Sequence, residues 1–350
     1  MRTNLLLALF GSLIGAACVS MLLFFVPSLT NRLATGQGSS FESLESLRAS
    51  MAQRKESEQS TEKEVPLRGI VIPHPSDSII YELEPNRTAQ FRHQIVRMNS
   101  HGMRSPEVPL KKPAGTFRIA VLGDSYTFGW GVEQEKVFTR WMETELAKSA
   151  PRGTQVEVLN FGVPGYATFQ EVAAFLEKGV QFEPDAVLVY VISNDFGLPF
   201  FIKDINGGNS LSPAPAFHQQ HIAATDTEAL AKRAALLKSL DANYSLVELA
   251  LYCKKHQLPL FLAVHPDKSA KTTKARLWSL RQEPSKGLIT VLKIGPDYRR
   301  IISEENIPEE TLSIPRDHHP GPGAHEAIGK ALGRQISMRL WSATAPQTAP

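Results

Sequence analysis

Cysteine is scarce in this sequence, which has only Cys18 and Cys253 among 350 residues. Cys18 lies inside a long uncharged stretch, so no intrachain disulfide is expected, and cysteine usage does not indicate a redox compartment. No Cys/His cluster has the spacing of a metal site, and we expect neither a metal nor a cofactor. The net charge is only +3 and the basic residues are interspersed, which argues against a nucleic-acid partner.

The one long apolar run lies near the amino terminus. Residues 5–26 form 22 consecutive uncharged positions, about 33 Å as a helix, against a hydrocarbon core of about 30 Å. A cleavable signal peptide has an apolar region of about 7–15 residues, followed by a small-x-small site. The longer run favours an uncleaved anchor. We predict a short tail (1–4), a single-pass transmembrane anchor (5–29), and an extracytoplasmic, periplasmic catalytic domain.

The remainder of the chain divides by composition. Residues 30–65 are rich in Ser, Glu, Gln and Lys and predict a flexible linker. Residues 66–340 form the predicted domain, and residues 341–350 a disordered tail. Within the domain, residues 196–240 lack periodicity and predict a lid-like insertion that lines the substrate entrance. The alternative is that its first aromatic residues simply pack on the core.

Short apolar runs alternate with segments of helical periodicity between residues 117 and 340. This alternation predicts a three-layer α/β/α sandwich around a mostly parallel sheet. Residues 268–296 are expected to be irregular. The predicted strands cover 117–122, 156–160, 185–193 and 258–264, and the predicted helices cover 136–149, 169–179, 244–257 and 323–340.

Polar residues follow the predicted strands where each one ends. Ser125 comes just after the first strand, Gly165 follows the second and Asn194 the third, whereas Asp317 and His319 precede the last helix. The carboxyl ends of parallel strands meet at the edge where α/β proteins bind ligands. A serine hydroxyl needs a base to become a nucleophile, and that base needs a fixed tautomer. A serine, a histidine and an aspartate that meet at one sheet edge would supply these groups.

This order of blocks resembles the SGNH (GDSL) hydrolase superfamily, which implies a flavodoxin-like α/β/α fold and acyl-ester chemistry without a cofactor. The resemblance implies that Ser125 is the nucleophile, His319 the base and Asp317 the acid that orients it. It also implies an oxyanion hole formed by the backbone N–H groups of Ser125 and Gly165 and the amide of Asn194. Two alternatives stay open, because Gly162 is a second candidate glycine and His318 a rival base. The family commonly places the aspartate three residues before the histidine, whereas here the spacing is two.

Residues 97–104, with the pattern N-x-x-G-x-R, and residues 81–86 resemble a bacterial, membrane-anchored subgroup related to glycan acyl esterases and O-acetyltransferases. This resemblance implies an acylated polysaccharide or small ester as substrate. An esterase is favoured, an O-acyltransferase is the alternative, and a non-catalytic glycan-binding or scaffold component of a membrane complex is the third possibility. Asp124 is expected to bond within its own turn, and His325 to cap or pack the last helix.

Overall fold

The computed structural model describes residues 61–196, 241–317 and 319–341, with short pieces at 48–49, 51–53 and 59. The predicted anchor, most of the linker, the insertion from residue 197 onward, His318 and the tail beyond Trp341 lie outside these residues. Within the ranges described, no helix is both long and apolar enough to cross a bilayer.

Two antiparallel hairpins precede the main sheet, in a Pro-rich region where the sequence predicted no elements. Strand β1 (Val71–Pro73) pairs with β2 (Tyr81–Leu83), and β3 (Thr88–Phe91) with β4 (Gln94–Arg97). The β3–β4 turn places Arg92 and His93 at φ of 51° and 62°, which are the dihedrals of a type I′ turn, although neither residue is glycine. Residues 61–113 are called the N-terminal module below.

The main sheet has five strands, and all four of its pairings are parallel. The strands are β5 (Thr116–Gly123), β6 (Gln155–Gly162), β7 (Ala186–Val191), β8 (Leu260–Val264) and β9 (Thr290–Leu292). Their order in the sheet is β6-β5-β7-β8-β9, the flavodoxin-like order in which the second strand lies outside the first. The four predicted strands are present, within three residues at each end.

Helices cover both faces of the sheet, which confirms the predicted α/β architecture. The helices are α1 (Ser125–Phe128), α2 (Phe138–Ser149), α3 (Thr168–Glu177), α4 (Ala242–Lys255), α5 (Ala270–Arg276), α6 (Ile294–Glu304) and α7 (Pro322–Leu340). Alternate residues of β5 face opposite layers: Ile119 and Val121 pack with α2, α6 and α7, whereas Ala120 and Leu122 pack with α3 and α4. The stretch 268–296, predicted to be irregular, instead contains α5 and β9.

The N-terminal module has a hydrophobic cluster of its own, which reaches the main domain. Tyr81 and Phe91 of the hairpins pack there with Phe128 of α1 and Tyr166. Met51 and Val65 also lie in this cluster, at 2% and 3% exposure. The segment predicted as a linker therefore contributes at least these two side chains to the folded domain, because the hairpins offer an apolar surface that composition alone did not reveal.

Candidate active site

The candidate site lies where the sheet order changes direction. Strand β5 pairs with β6 on one side and β7 on the other. Ser125 begins α1 directly after β5, and Asn194 lies just after the end of β7. In doubly wound sheets this switch point opens a crevice at the carboxyl ends of the strands. The fold therefore brings together two polar residues that are far apart in sequence.

A tight turn presents the Ser125 hydroxyl. Asp124 caps the short helix α1 by accepting a hydrogen bond from the backbone N–H of Tyr126 at 3.0 Å, as its expected turn role requires. Gly162 of β6 packs against this helix so closely that a Cβ atom there would lie 2.2 Å from the backbone nitrogen of Phe128. Only glycine allows β6 to approach the nucleophile turn at this distance.

Ser125, His319 and Asp317 form a connected chain of hydrogen bonds. The Nε2 atom of His319 lies 2.8 Å from Ser125 Oγ, and its Nδ1 atom lies 2.5 Å from Asp317 Oδ1. With the imidazole proton on Nδ1, Nε2 is free to accept the serine proton. Of the two candidate histidines, His319 contacts Ser125, and His318 lies outside the described residues.

The two-residue spacing of Asp317 and His319 suits this geometry. The same Asp317 Oδ1 that contacts the imidazole also accepts the backbone N–H of His319 at 3.1 Å. The loop is closed by the N–H of Ile314, which donates to the carbonyl oxygen of His319 at 3.0 Å. A carboxylate that bonds its own backbone two residues later forms an Asx-type turn, so the short spacing fixes the acid against the base.

Trp130 supports the acid and the base together. Its indole Nε1–H donates to Asp317 Oδ2 at 3.0 Å, and its ring stacks on the imidazole of His319. Burial of Asp317 tends to raise its pKa, but the hydrogen bonds from His319 and Trp130 outweigh burial and lower the pKa below the ordinary value. Asp317 is therefore held as the carboxylate that the His319 tautomer requires.

Asn194 contacts the nucleophile turn through its side chain. Its Nδ2 atom donates to Asp124 Oδ2 at 3.0 Å, the same oxygen that lies 3.2 Å from Ser125 Oγ. An asparagine amide has two hydrogens, so one can bind Asp124 while the other remains available to a developing oxyanion. Asp124 thus makes a second contact, to Asn194, which the sequence did not predict. This contact orients the Asn194 side chain.

The two candidate glycines differ in what their N–H groups do. The N–H of Gly162 already donates to Asn160 Oδ1 at 2.8 Å, so Gly162 is not available as an oxyanion donor. Gly165 has φ of 82° and lies in a turn closed by the hydrogen bond from Tyr166 N–H to Val163 O. This geometry favours Gly165 over Gly162.

Arg104 holds the far end of the nucleophile turn. Its guanidinium donates to the carbonyl oxygens of Phe128, Gly129 and Val132 at 3.0, 2.6 and 2.6 Å. Burial lowers the Arg104 pKa to about 10, so it remains a cation at neutral pH. Asn99 Oδ1 accepts the N–H groups that lead into Arg104, including that of Met103 at 2.9 Å. The N-x-x-G-x-R pattern therefore builds a loop that delivers this arginine.

Two other histidines, His265 and His325, make hydrogen bonds to other parts of the fold. His265 Nδ1 lies 2.8 Å from the hydroxyl of Tyr190, and burial lowers its pKa to about 4. His325 Nδ1 accepts the N–H of Phe138 at 3.1 Å. His325 is buried, as expected, but its ring accepts the first N–H of α2 and does not cap α7, the helix that contains it. Across the described part of the chain, no three His, Cys, Asp or Glu residues converge into a metal-binding cluster.

The sequence reasoning assigned no role to Trp130, Arg104 or Tyr81, the last of which contacts the Gly165 turn. The sequence does contain a signal for Trp130, an aromatic residue between two glycines directly after the nucleophile turn. It contains a signal for Arg104 as well, the final residue of the N-x-x-G-x-R pattern. The Tyr81 contact spans 83 residues of sequence, and no local pattern reveals it.

Comparisons with known proteins gave one family match and a set of similar solved structures. Residues 121–267 match the model of the GDSL-like lipase/acylhydrolase family. A lipase/acylhydrolase from Enterococcus faecalis is 16% identical, with a TM-score of 0.37 over 64% of this chain and 96% of that chain. A variant of an acetyl xylan esterase from Geobacillus stearothermophilus is 15% identical, with a TM-score of 0.39 over 63% and 94%. Curated proteins gave no match. Over residues 121–267, the chain is therefore similar to the GDSL-like lipase/acylhydrolase family.

Proposed function

We propose that this protein hydrolyses acyl esters through an acyl-enzyme formed on Ser125. The observation that carries the proposal is the distance of 2.8 Å between His319 Nε2 and Ser125 Oγ, with Asp317 on the other imidazole nitrogen. A base that touches both the hydroxyl and a carboxylate is the arrangement that activates a serine.

In the first step, Ser125 Oγ attacks the ester carbonyl carbon while His319 Nε2 takes the hydroxyl proton. The tetrahedral intermediate then collapses, and the C–O bond to the alcohol breaks as Nε2 returns the proton to the leaving oxygen. A water molecule repeats the sequence on the acyl-enzyme and releases the carboxylic acid and free Ser125. Asp317 stays ionised throughout and stabilises the imidazolium.

The oxyanion is held by the backbone N–H groups of Ser125 and Gly165 and by the free amide hydrogen of Asn194. Each such donor contributes about 3–4 kcal/mol when it is aimed at the oxyanion. The Asn194 contact with Asp124 supports this role, because it fixes the amide beside the nucleophile before substrate arrives.

The proposed substrate is an acyl ester on an exported glycan or a small ester, presented to a domain outside the cytoplasm and anchored by residues 5–29. The resemblance of residues 81–86 and 97–104 to a subgroup related to glycan acyl esterases and O-acetyltransferases supports this choice. The same triad would transfer the acyl group to a sugar hydroxyl if an acceptor displaced water, so the assay below includes an acceptor.

The test is an assay of the full chain in detergent with a chromogenic acetyl ester, with and without an oligosaccharide acceptor. The wild type should release the chromophore. Ser125→Ala should lose at least about 10³-fold in kcat with an unchanged circular dichroism spectrum. Acetylated oligosaccharide as the main product would show a transferase. Equal turnover by wild type and Ser125→Ala, or inactivity on a broad panel of esters, would reject the mechanism and favour a non-catalytic role.

A further inference from the structure

The peptide that joins Pro164 to Gly165 lies in a turn of defined type. The turn runs from Val163 to Tyr166 and is closed by a hydrogen bond of 3.2 Å. Proline fixes the second position near φ of −65°, and Gly165 has φ of 82° in the third. These values define a type II turn. A type I turn with the same ends requires a rotation of its central peptide by about 150–170°.

The N-terminal module holds this peptide in place. The hydroxyl of Tyr81, in β2, donates to the carbonyl oxygen of Pro164 at 2.9 Å, and the contact is buried. In a trans peptide the C=O and the following N–H point in opposite directions. A carbonyl held by Tyr81 therefore fixes the Gly165 N–H on the side away from the module.

The hairpin strand that carries Tyr81 is itself tied to the turn. The hydroxyl of Tyr166 donates to the backbone carbonyl of Tyr81, and Gln170 Nε2 donates to the carbonyl of Ile79 at 2.8 Å. Between these two contacts, Ile80 has φ of 71°. A β-branched residue in this region is strained, and such strain persists only where neighbouring contacts over-determine the backbone.

The hydroxyl of Tyr81 is a permanent donor. Tyr81 has no exposed surface, and burial, with a further contribution from Asp124, raises its pKa well above 10. The Pro164 carbonyl thus keeps its donor at neutral pH.

We propose that Tyr81 is a positioning residue of the active site: its hydroxyl selects the type II turn and so aims the Gly165 N–H at the oxyanion. The inference rests on the proposed function, because an oxyanion donor matters only if the site stabilises one. It gives the N-terminal module a role in catalysis beyond covering the domain.

The matched variants are Tyr81→Phe and Tyr190→Phe. Each removes one buried hydroxyl that makes a hydrogen bond, but only Tyr81 touches the Pro164 carbonyl, whereas Tyr190 contacts His265. Tyr81→Phe should lower kcat about 10- to 100-fold, since removal of one oxyanion donor costs about 10²–10³-fold and part of the population keeps the type II turn. KM should stay within about 2-fold. Tyr190→Phe should keep kcat within about 3-fold at a similar loss of melting temperature.

Equal kcat losses in the two variants would overturn the proposal and show a purely structural contact. Gly165→Ala is the second variant, because a side chain disfavours positive φ. It should reproduce the kcat loss, and the Tyr81→Phe/Gly165→Ala double variant should be little worse than either.

Crystal structures of wild type and Tyr81→Phe give a readout that does not need turnover. The 164–165 peptide should flip or occupy two orientations in the variant. An unchanged, singly occupied type II turn would reject the role of Tyr81 even if the ester assay succeeds. A flipped peptide in a protein inert to all esters would instead support the positioning contact and reject the proposed function.

Discussion

The indole ring of Trp130 lies nearly parallel to the imidazole of His319, with ring centroids 4.8 Å apart and 13° between the planes. The same indole donates a hydrogen bond to Asp317, so one side chain contacts both His319 and Asp317. The guanidinium of Arg92, at the tip of the β3–β4 hairpin, lies 4.3 Å from the Trp130 ring centroid. Trp130 is thereby packed from the N-terminal module while it supports residues near the carboxyl end of the chain.

Replacement of Trp130 should slow turnover more when both its hydrogen bond to Asp317 and its ring contact with His319 are lost than when only the hydrogen bond is lost. Trp130→Phe keeps an aromatic face but loses the donor to Asp317, and kcat should fall about 3- to 10-fold. Trp130→Leu also loses the attraction between the ring and the imidazolium, worth about 0.5–2 kcal/mol, and should fall about 10- to 100-fold. The measurement is kcat on a chromogenic ester beside the melting temperature. Equal kcat values for Trp130→Leu and Trp130→Phe would show that ring stacking on the imidazole contributes nothing.

His319→Ala should be as damaging to kcat as Ser125→Ala, and the double variant should be little worse than either, because triad members act as a unit. His318→Ala serves as the matched control and should keep most of the activity. The check is kcat for wild type and the four variants under one set of conditions. If His318→Ala were the inactive variant, the base assignment would have to be reversed.

Arg104→Lys should destabilise the domain by about 2–4 kcal/mol, because a lysine cannot serve the carbonyls of Phe128, Gly129 and Val132 with one planar fork. Urea unfolding followed by fluorescence measures the loss. Arg97→Lys, on the exposed side of β4, is the control and should shift the free energy of unfolding by less than about 0.5 kcal/mol. A lysine variant as stable as wild type would show that the three hydrogen bonds are dispensable.

His325 should make the protein less stable in mild acid. Burial lowers the His325 pKa from its ordinary 6.5 to about 3, so only the unfolded chain takes up this proton as the pH falls through that interval. Its contribution is complete above pH 6.5 and declines by about 1.4 kcal/mol per pH unit below it.

His325→Gln cannot titrate, so its free energy of unfolding should fall less steeply than that of wild type between pH 6.5 and 4.5. Urea unfolding at three pH values gives both slopes. His256→Gln, at an exposed site, should follow the wild-type curve. Parallel curves for wild type and His325→Gln would contradict the neutral, buried histidine.

Residues 5–29 should hold the protein in the membrane with its catalytic domain outside the cytoplasm. Protease added to intact spheroplasts should then remove the domain. A protected domain would reverse the orientation, and a soluble mature form that begins after residue 29 would show a cleaved signal peptide.

The central strands and the site order were readable from sequence because they depend on local signals. A buried parallel strand such as β7 is almost continuously apolar, and Ser125 and Asn194 follow directly where such runs stop. Strand β9 was missed because three residues are too few to show a period. The hairpins were missed because their strands have three or four residues and the β3–β4 turn lacks the Asn-Gly or Asp-Gly signal.

Contacts between distant segments set the remaining limit. The choice between Gly162 and Gly165 depends on where Asn160 directs its side chain, and the support of His319 depends on a tryptophan near the start of the domain. Such pairings are decided by how the helices and the N-terminal module pack on the sheet. The spacing of residues within one segment does not reveal how that segment packs against a distant one.

The separation of 194 residues between Ser125 and His319 also affects how the protein matures. During synthesis the nucleophile, its turn and the N-terminal module leave the ribosome first, since chains emerge from the amino terminus. The base follows only with the loop that precedes α7, which must then dock against α2. A nascent or truncated chain that ends before this loop therefore lacks the histidine that the proposed mechanism requires. Ester turnover would accordingly report the arrival of the last helix, and its recovery time after dilution from urea would measure that long-range docking step.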